Sequence, residues 1–524
     1  MQKHNMRTEK KSSIKNSATR LVLIALLVLI QTGWMVFLML KLNAYSTAIT
    51  LALTFIAVFI ALKIFGTHVN SAQRMPWLIV ITAVPFFGIC IDLLFGRSIV
   101  TKGMRRRFNG IESDILVNKL SQDETVIDEI AAKDKGIANQ CRYISHTARY
   151  PVYKNTDVEY YAEADISFAA QIEELKKAEH FIFMEYHAIE DALSFERLKK
   201  VLIEKAQSGV EVRIFYDDLG SIFFLNKEFI KRMREQGIQC RVFNPLKVVV
   251  NMFMNNRDHR KITVIDGRVG FTGGYNLADE YFNITHPYGY WKDTGIKLTG
   301  DAVRSLTASF LTMWNAIDHT DSQADYDKYL DAADNTYKAV DSECYVQPYS
   351  DNPLGQDRIG EDVYLNILKN AKDYVYITTP YLIITDEMER ELRLAVKRGV
   401  DVRIVTPGIP DKKMVYKITR SYYEPLCSAG VRIYEYTPGF CHAKQWVSDD
   451  EMSVVGTINM DFRSLYLHFE NAVFTYNKGL AAKVKKDMLN NFEAGREVTK
   501  DYAKDVIRPL KLGTCILRMI SPLL

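Results

Sequence analysis

Apolar positions along the chain fall into two regimes. Up to about residue 95 they come in long runs: 21–40, broken by Gln31, Thr32 and Gly33; 44–62, apolar apart from Tyr45 and small hydroxyl residues; and 77–95, with Pro85 and Gly88 at its middle and Asp92 near its end. A helix of about 20 such residues crosses a hydrocarbon core of roughly 30 Å. The runs therefore predict N-terminal transmembrane helices in a membrane anchor over 1–104, the first two folded as a hairpin across Lys41, Leu42 and Asn43. A secretory leader is the competing reading of the first run, with Lys10, Lys11, Lys15 and Arg20 as its basic start, but the run is long and a second follows at once. The basic cluster at Arg97, Lys102, Arg105, Arg106 and Arg107 mirrors the one at the N-terminus, and the positive-inside rule asks for both on the cytoplasmic side. Three full crossings do not allow that, so either the Pro85 segment dips and returns or one cluster is overruled. The expectation is a multi-pass protein of a cell membrane, with the remainder of the chain on the cytoplasmic side.

After a linker over 105–150 the period changes. Short strand-like apolar runs alternate with longer helix-like stretches, the signature of an α/β domain, and the alternation occurs twice. Ala178-Glu-His-Phe-Ile-Phe is answered by Ala371-Lys-Asp-Tyr-Val-Tyr, Gly209-Val-Glu-Val-Arg-Ile by Gly399-Val-Asp-Val-Arg-Ile, and Gly237 to Pro245 by Gly430 to Pro438. Two tandem α/β/α lobes follow, over 151–318 and 344–500, joined by a connection over 319–343 that is acidic from His319 to Asp334. A site at their seam is the natural expectation. The last segment, 501–524, sets Leu510, Leu512, Ile516, Met519 and Ile520 among Arg508, Lys511 and Arg518; it is either an interfacial helix or one docked on the core.

Composition removes some functions. Charged residues make up 25% and the net charge is +4, without the basic face that nucleic acid demands, so no nucleic-acid partner is expected. Seven scattered cysteines with no C-x-x-C pair argue against a disulfide framework and a structural zinc site. No nucleotide fingerprint is present, and no cofactor or metal is expected.

The chemistry lies in a repeated constellation. His259, Lys261, Asp266, Gly273 and Asn276 in the first lobe are matched by His442, Lys444, Asp449, Gly456 and Asn459 in the second, each pair 183 residues apart. His and Lys two apart on a strand face the same way, which alone means little; five matched positions inside a duplicated fold mean a shared site. A phosphodiester repels nucleophiles with its charge, so lysines and amide donors on its non-bridging oxygens, here Lys261, Lys444, Asn276 and Asn459, are what its displacement requires. A neutral imidazole from one lobe can attack phosphorus while a protonated one from the other serves the leaving oxygen. Each ring then needs an acceptor on its second nitrogen. Asp293 and Glu470 are the candidates, and spacing does not say which serves which histidine.

The double H-x-K-x4-D resembles the phospholipase D superfamily over about 150–480. Within it, Asn256-Arg-Asp-His-Arg-Lys-Ile-Thr-Val-Ile-Asp-Gly, Gly273-Gly-Tyr-Asn-Leu-Ala-Asp-Glu-Tyr, Gly439-Phe-Cys-His-Ala-Lys, Gly456-Thr-Ile-Asn-Met-Asp-Phe-Arg-Ser and the terminal Ser521-Pro-Leu-Leu are similar to bacterial cardiolipin synthases. The resemblance implies a phosphatidyltransferase: one phosphatidylglycerol forms a phosphatidyl-histidine and loses glycerol, and a second attacks it to give cardiolipin in the bilayer. It also implies that Asp266 and Asp449, although part of the catalytic motif, mainly hold the turn after it. The alternative is a membrane-bound phospholipase D that passes the phosphatidyl group to water. His468-Phe-Glu stands where the family often has Asn-Phe-Glu, and an additional apolar span precedes the family's membrane module. Arg463 and Ser464 are candidate headgroup or phosphate contacts. Leu246 to Met254 is either a lip for acyl chains or a buried strand.

Overall fold

The computed structural model describes residues 47–521, apart from 68–69, 87, 90–101, 226, 246–255, 322, 333–336 and 506–510, together with scattered positions between 26 and 41. Most of the first predicted span, the end of the third and the Leu246–Met254 run lie outside the described residues.

In the first lobe the strands are β1 (Thr156–Tyr161), β2 (Phe181–Tyr186), β3 (Glu211–Asp217), β4 (Gln239–Phe243), β5 (Lys261–Ile265), β6 (Val269–Gly273) and β7 (Gly295–Gly300). They form one sheet in the order β1-β7-β6-β5-β2-β3-β4. β2 lies parallel to β3 and antiparallel to β5, at the centre, and all six of its residues are buried. Helices cover both faces of such a strand, which is why it reads as an unbroken apolar run. The second lobe repeats the plan with β8 (Tyr345–Asp351), β9 (Tyr374–Thr378), β10 (Asp401–Pro407), β11 (Arg432–Tyr436), β12 (Gln445–Ser448), β13 (Met452–Gly456), β14 (His468–Tyr476) and β15 (Gly495–Glu497), in the order β8-β14-β13-β12-β9-β10-β11-β15.

Ahead of the lobes run α1 (Thr47–Phe65), α2 (Ser71–Ala83) and α3 (Lys102–Asn118); α4 (Val303–Ile317) follows β7, and α5 (Lys413–Ser421) and α6 (Leu512–Ile520) belong to the second half. The lobes share a core. α4 packs on α3, on β2 and β5 of the first sheet and on β8 of the second, and is buried almost throughout. It tolerates burial of Thr307, Ser309 and Thr312 because each hydroxyl donates to the carbonyl four residues back, at 2.8–2.9 Å.

The stretch 105–150 differs from the expected linker. It is helical at Lys102–Asn118, Glu124–Lys133 and Lys135–Tyr143, and buries Ile115, Ile127, Ile130, Ile137 and Cys141 in the shared core. The acidic connection is also anchored: Asp321 accepts from Arg213 Nη1 at 2.6 Å, and Tyr329 Oη donates to Glu211 at 2.9 Å.

Among the described residues no helix is long and apolar enough to cross a membrane. α1 still turns large apolar side chains outward, with Leu51 64% and Phe55 76% exposed. The third apolar run is not one helix: α2 ends at Ala83, because the residue before Pro85 is driven out of the helical region. Asn70 caps α2 by accepting from Ala72 N–H, and its amide donates to Tyr466 Oη and Glu387, fixing the N-terminal region to the second lobe.

Candidate active site

Each H-x-K motif opens a strand, and the residues just before it leave their own sheet for the other lobe. Arg257–Asp258 pairs in parallel with the start of β14, Arg257 opposite His468 and Asp258 opposite Phe469. Gly439–Cys441 pairs in parallel with Tyr290–Lys292, Cys441 opposite Lys292. His259 N–H donates to Phe469 O at 2.9 Å and His442 N–H to Lys292 O at 2.7 Å. Extending each register by one residue sets His259 against Glu470 and His442 against Asp293.

The carboxylates therefore cross the seam. His259 Nδ1 lies 2.9 and 3.0 Å from the Glu470 oxygens, and His442 Nδ1 lies 2.6 Å from Asp293 Oδ2. With Nδ1–H donating, Nε2 of each ring carries no proton. Glu470 is steadied by the Thr457 hydroxyl at 2.5 Å, and Asp293 by Thr294 N–H at 2.9 Å. Both rings line a cavity of about 520 Å³ that takes walls from both lobes, with Asn276, Asn459 and Arg463 also at its surface.

Lys261 and Lys444 are buried behind the cavity surface without lining it, each donating its ammonium to the carbonyl of its own histidine at 2.5 Å, and Lys444 also reaches His442 Nε2 at 2.9 Å. Burial pushes Lys261 down to about 7 and Lys444 down to about 8, with Glu470 and Asp293 opposing the shift. Burial, reinforced by Lys261 and Lys444, holds His259 well below its ordinary value; burial and Lys444 bring His442 to about 4. Burial alone would raise Asp293, but His442 and Lys444 bring it below the usual carboxylate range. The site thus sets neutral imidazoles beside lysines whose charge is disfavoured by burial, an arrangement that a bound anion stabilises.

The two histidines have different surroundings. His442 is boxed by Trp291, Tyr281 and Phe440, with ring centroids 5.3–5.7 Å away. His259 lies between two further histidines, His187 at 5.0 Å and His468 at 5.6 Å. His187 Nδ1 is fixed on Asp258 O at 2.7 Å. His468 Nε2 accepts from Arg463 Nε at 3.2 Å, which turns its Nδ1 toward Glu470 Oε1, 3.7 Å away. Neither histidine was singled out as a site residue from sequence, since neither belongs to the repeat; the available signal was that residues 468 and 470 share a face of one strand.

Asn276 accepts from Ala188 N–H and donates to Tyr281 Oη at 2.7 Å; the amide oxygen of Asn459 is buried and accepts no hydrogen bond from the described residues. Ser464 does not line the cavity: its N–H donates to Asp461 in a helix cap, and its side chain is buried. Asp266 and Asp449 are also away from the chemistry. Both have positive φ, 51° and 55°, in the hairpin turns after β5 and β12, where short polar residues suit the turn. Asp266 accepts from the N–H groups of Glu179, His180 and Phe181, and Asp449 from those of Lys372, Asp373 and Tyr374, so each clamps the start of the neighbouring strand. Among the described residues, possible metal-ligand atoms of His259, His468 and Glu470 lie within 4.8 Å of one another. Glu470 is already engaged by His259 and Thr457, and His468 by Arg463, so hydrogen bonds within the protein already hold these groups.

Comparison with known proteins bears on the family and the fold. A family model described as cardiolipin synthase, PLD-like domain, matches residues 171–314 and 364–492. A cardiolipin synthase of Geobacillus thermodenitrificans is 33% identical over 496 residues, 92% of this chain and 94% of that protein. A Streptococcus mutans protein without an assigned activity is 39% identical over 465 residues, 88% of this chain and 99% of its own length. The crystal structure of a phosphatidylserine synthase from Haemophilus influenzae shares the fold, with a TM-score of 0.53 at 14% identity, over 69% of this chain and 93% of that one.

Proposed function

Since the chain belongs to the cardiolipin synthase family with paired PLD-like domains, we propose that it transfers a phosphatidyl group from one phosphatidylglycerol to another, giving cardiolipin and glycerol. The observation that carries the mechanism is the crossed pairing: two histidines, each held at Nδ1 by the other lobe's carboxylate, line one cavity.

His259 is the nucleophile in this reading. Its Nε2 forms a bond to phosphorus as the P–O bond to the departing glycerol breaks, and His442 passes its Nε2 proton to that oxygen. The negative charge of the bound phosphodiester favours the protonated form of His442, the proton being taken up from water as the lipid binds, so that Lys444 keeps its own for the phosphate. In the second step the free headgroup hydroxyl of another phosphatidylglycerol attacks phosphorus, its proton returns to His442 and the N–P bond breaks. Lys261, Lys444 and the amides of Asn276 and Asn459 take the non-bridging oxygens, and Arg463 a phosphate or headgroup oxygen. Exchange of one phosphodiester for another is close to thermoneutral and needs no activated donor.

Insoluble substrates also call for a membrane location. The outward apolar side chains of α1 and the apolar run before it support a membrane anchor with the lobes on the cytoplasmic side. Rapid quenching after mixing with short-chain phosphatidylglycerol, followed by peptide mapping, is expected to place the phosphatidyl adduct on His259. An adduct only on His442 would reverse the roles, and none on either would remove the covalent step.

A further inference from the structure

α6 is divided lengthwise. On one side Arg518 donates to Ser421 Oγ at 2.9 Å and Ser421 O at 2.6 Å, and its guanidinium lies 3.8 Å over the Tyr422 ring. Leu517 packs on the core, and Ser521, just past the helix, lines the catalytic cavity. On the other side Leu512 and Ile516 are 78% and 50% exposed, and Cys515 between them is exposed as well. A helix that only closed a globular core would turn polar residues outward. This one turns its apolar stripe away from the protein.

α5 packs beside α6 and presents Lys413, Met414 and Lys417 to solvent, with exposed Lys412 just before it at the cavity wall. Lys511 is exposed at the start of α6. Asp411, the acidic neighbour, accepts from Tyr381 Oη inside the cavity. α2 reaches α6 from the N-terminal side, so this face continues toward the apolar helices ahead of the lobes. The cavity is in the size range of small-ligand sites, enough for a glycerophosphoryl headgroup and too small for a diacyl lipid.

We propose that the paired face of α5 and α6 docks on an anionic phospholipid bilayer, setting the cavity mouth at headgroup level so that the headgroup enters while the acyl chains stay in the lipid. Leu512, Ile516 and Met414 sink into the interface and Lys413, Lys417 and Lys511 meet the lipid phosphates. The proposal rests on the lipid substrate inferred above.

Two measurements test it on the full chain. In a Cys90→Ser background a bimane fluorophore on Cys515 is expected to shift to the blue on reconstitution into phosphatidylglycerol vesicles, to be quenched by lipids carrying a nitroxide near the headgroup, and to be shielded from aqueous iodide. Free quenching by iodide with none from the lipid would overturn the proposal. Second, Lys413→Glu/Lys417→Glu and Ile516→Glu are each expected to lower the ratio of activity on bilayer to activity on monomeric short-chain phosphatidylglycerol by on the order of tenfold. An unchanged ratio would count against it. Failure of the unmutated chain to form cardiolipin from either substrate would overturn the proposed function instead.

Discussion

At the residue scale the account depends on histidines kept neutral by burial and oriented by carboxylates from the opposite lobe. Glu470→Gln and Asp293→Asn, although in different lobes, are both expected to cut kcat by about a hundredfold or more while leaving the fold intact, as loss of an oriented acid or base does; steady-state kinetics with circular dichroism checks both. The buried lysines give a pH signature. Lys261 and Lys444 fall from an ordinary value near 10.5 to about 7 and about 8. Between those limits the unfolded chain binds more protons than the folded one, so stability rises with pH across that window as each penalty is relieved. A bound phosphate restores the charge, so binding of a phosphodiester analogue at pH 9 is expected to take up protons. Calorimetry in buffers of different ionisation enthalpy reads the sign, and proton release would contradict the placement of the lysines under the phosphate. The ten repeated residues were legible because five pairs of positions share one offset of 183 residues. The crossed carboxylates were not, because their pairing is set by strand contacts between segments 211 and 149 residues apart, which no local spacing encodes.

At the element scale the motif's final aspartate separates structure from catalysis. Asp266→Ala and Asp449→Ala each strip the acceptor from N–H groups that open a central strand. Each is expected to cost about 1–3 kcal/mol, read as a lower denaturant midpoint, while activity per folded molecule changes far less than in the histidine variants. The β-α alternation of the lobes was legible because buried central strands are unbroken apolar runs. The segment 105–150 was not read as helical, although Val126, Ile127 and Ile130 fall on one helical face; its mixed charge hid three helices whose stability comes from packing against α4 and the second lobe.

At the scale of the whole molecule the site exists only where the lobes meet, and both halves come from one chain. α4 lies in a core common to the two sheets, and each motif's leading residues pair with the other lobe. Mixing purified His259→Ala and His442→Ala proteins is therefore expected to leave activity absent; recovery would mean that chains exchange lobes. The duplicated architecture was legible from the repeat, whereas the position of α6 beside the cavity was not, since an amphipathic end fits a docked or an interfacial helix equally well.

The most direct test follows the headgroup. In vesicles of phosphatidylglycerol labelled in the headgroup glycerol, transfer predicts one labelled glycerol released for each cardiolipin formed, the cardiolipin retaining the other label. Labelled glycerol released with phosphatidic acid and no cardiolipin would contradict the account.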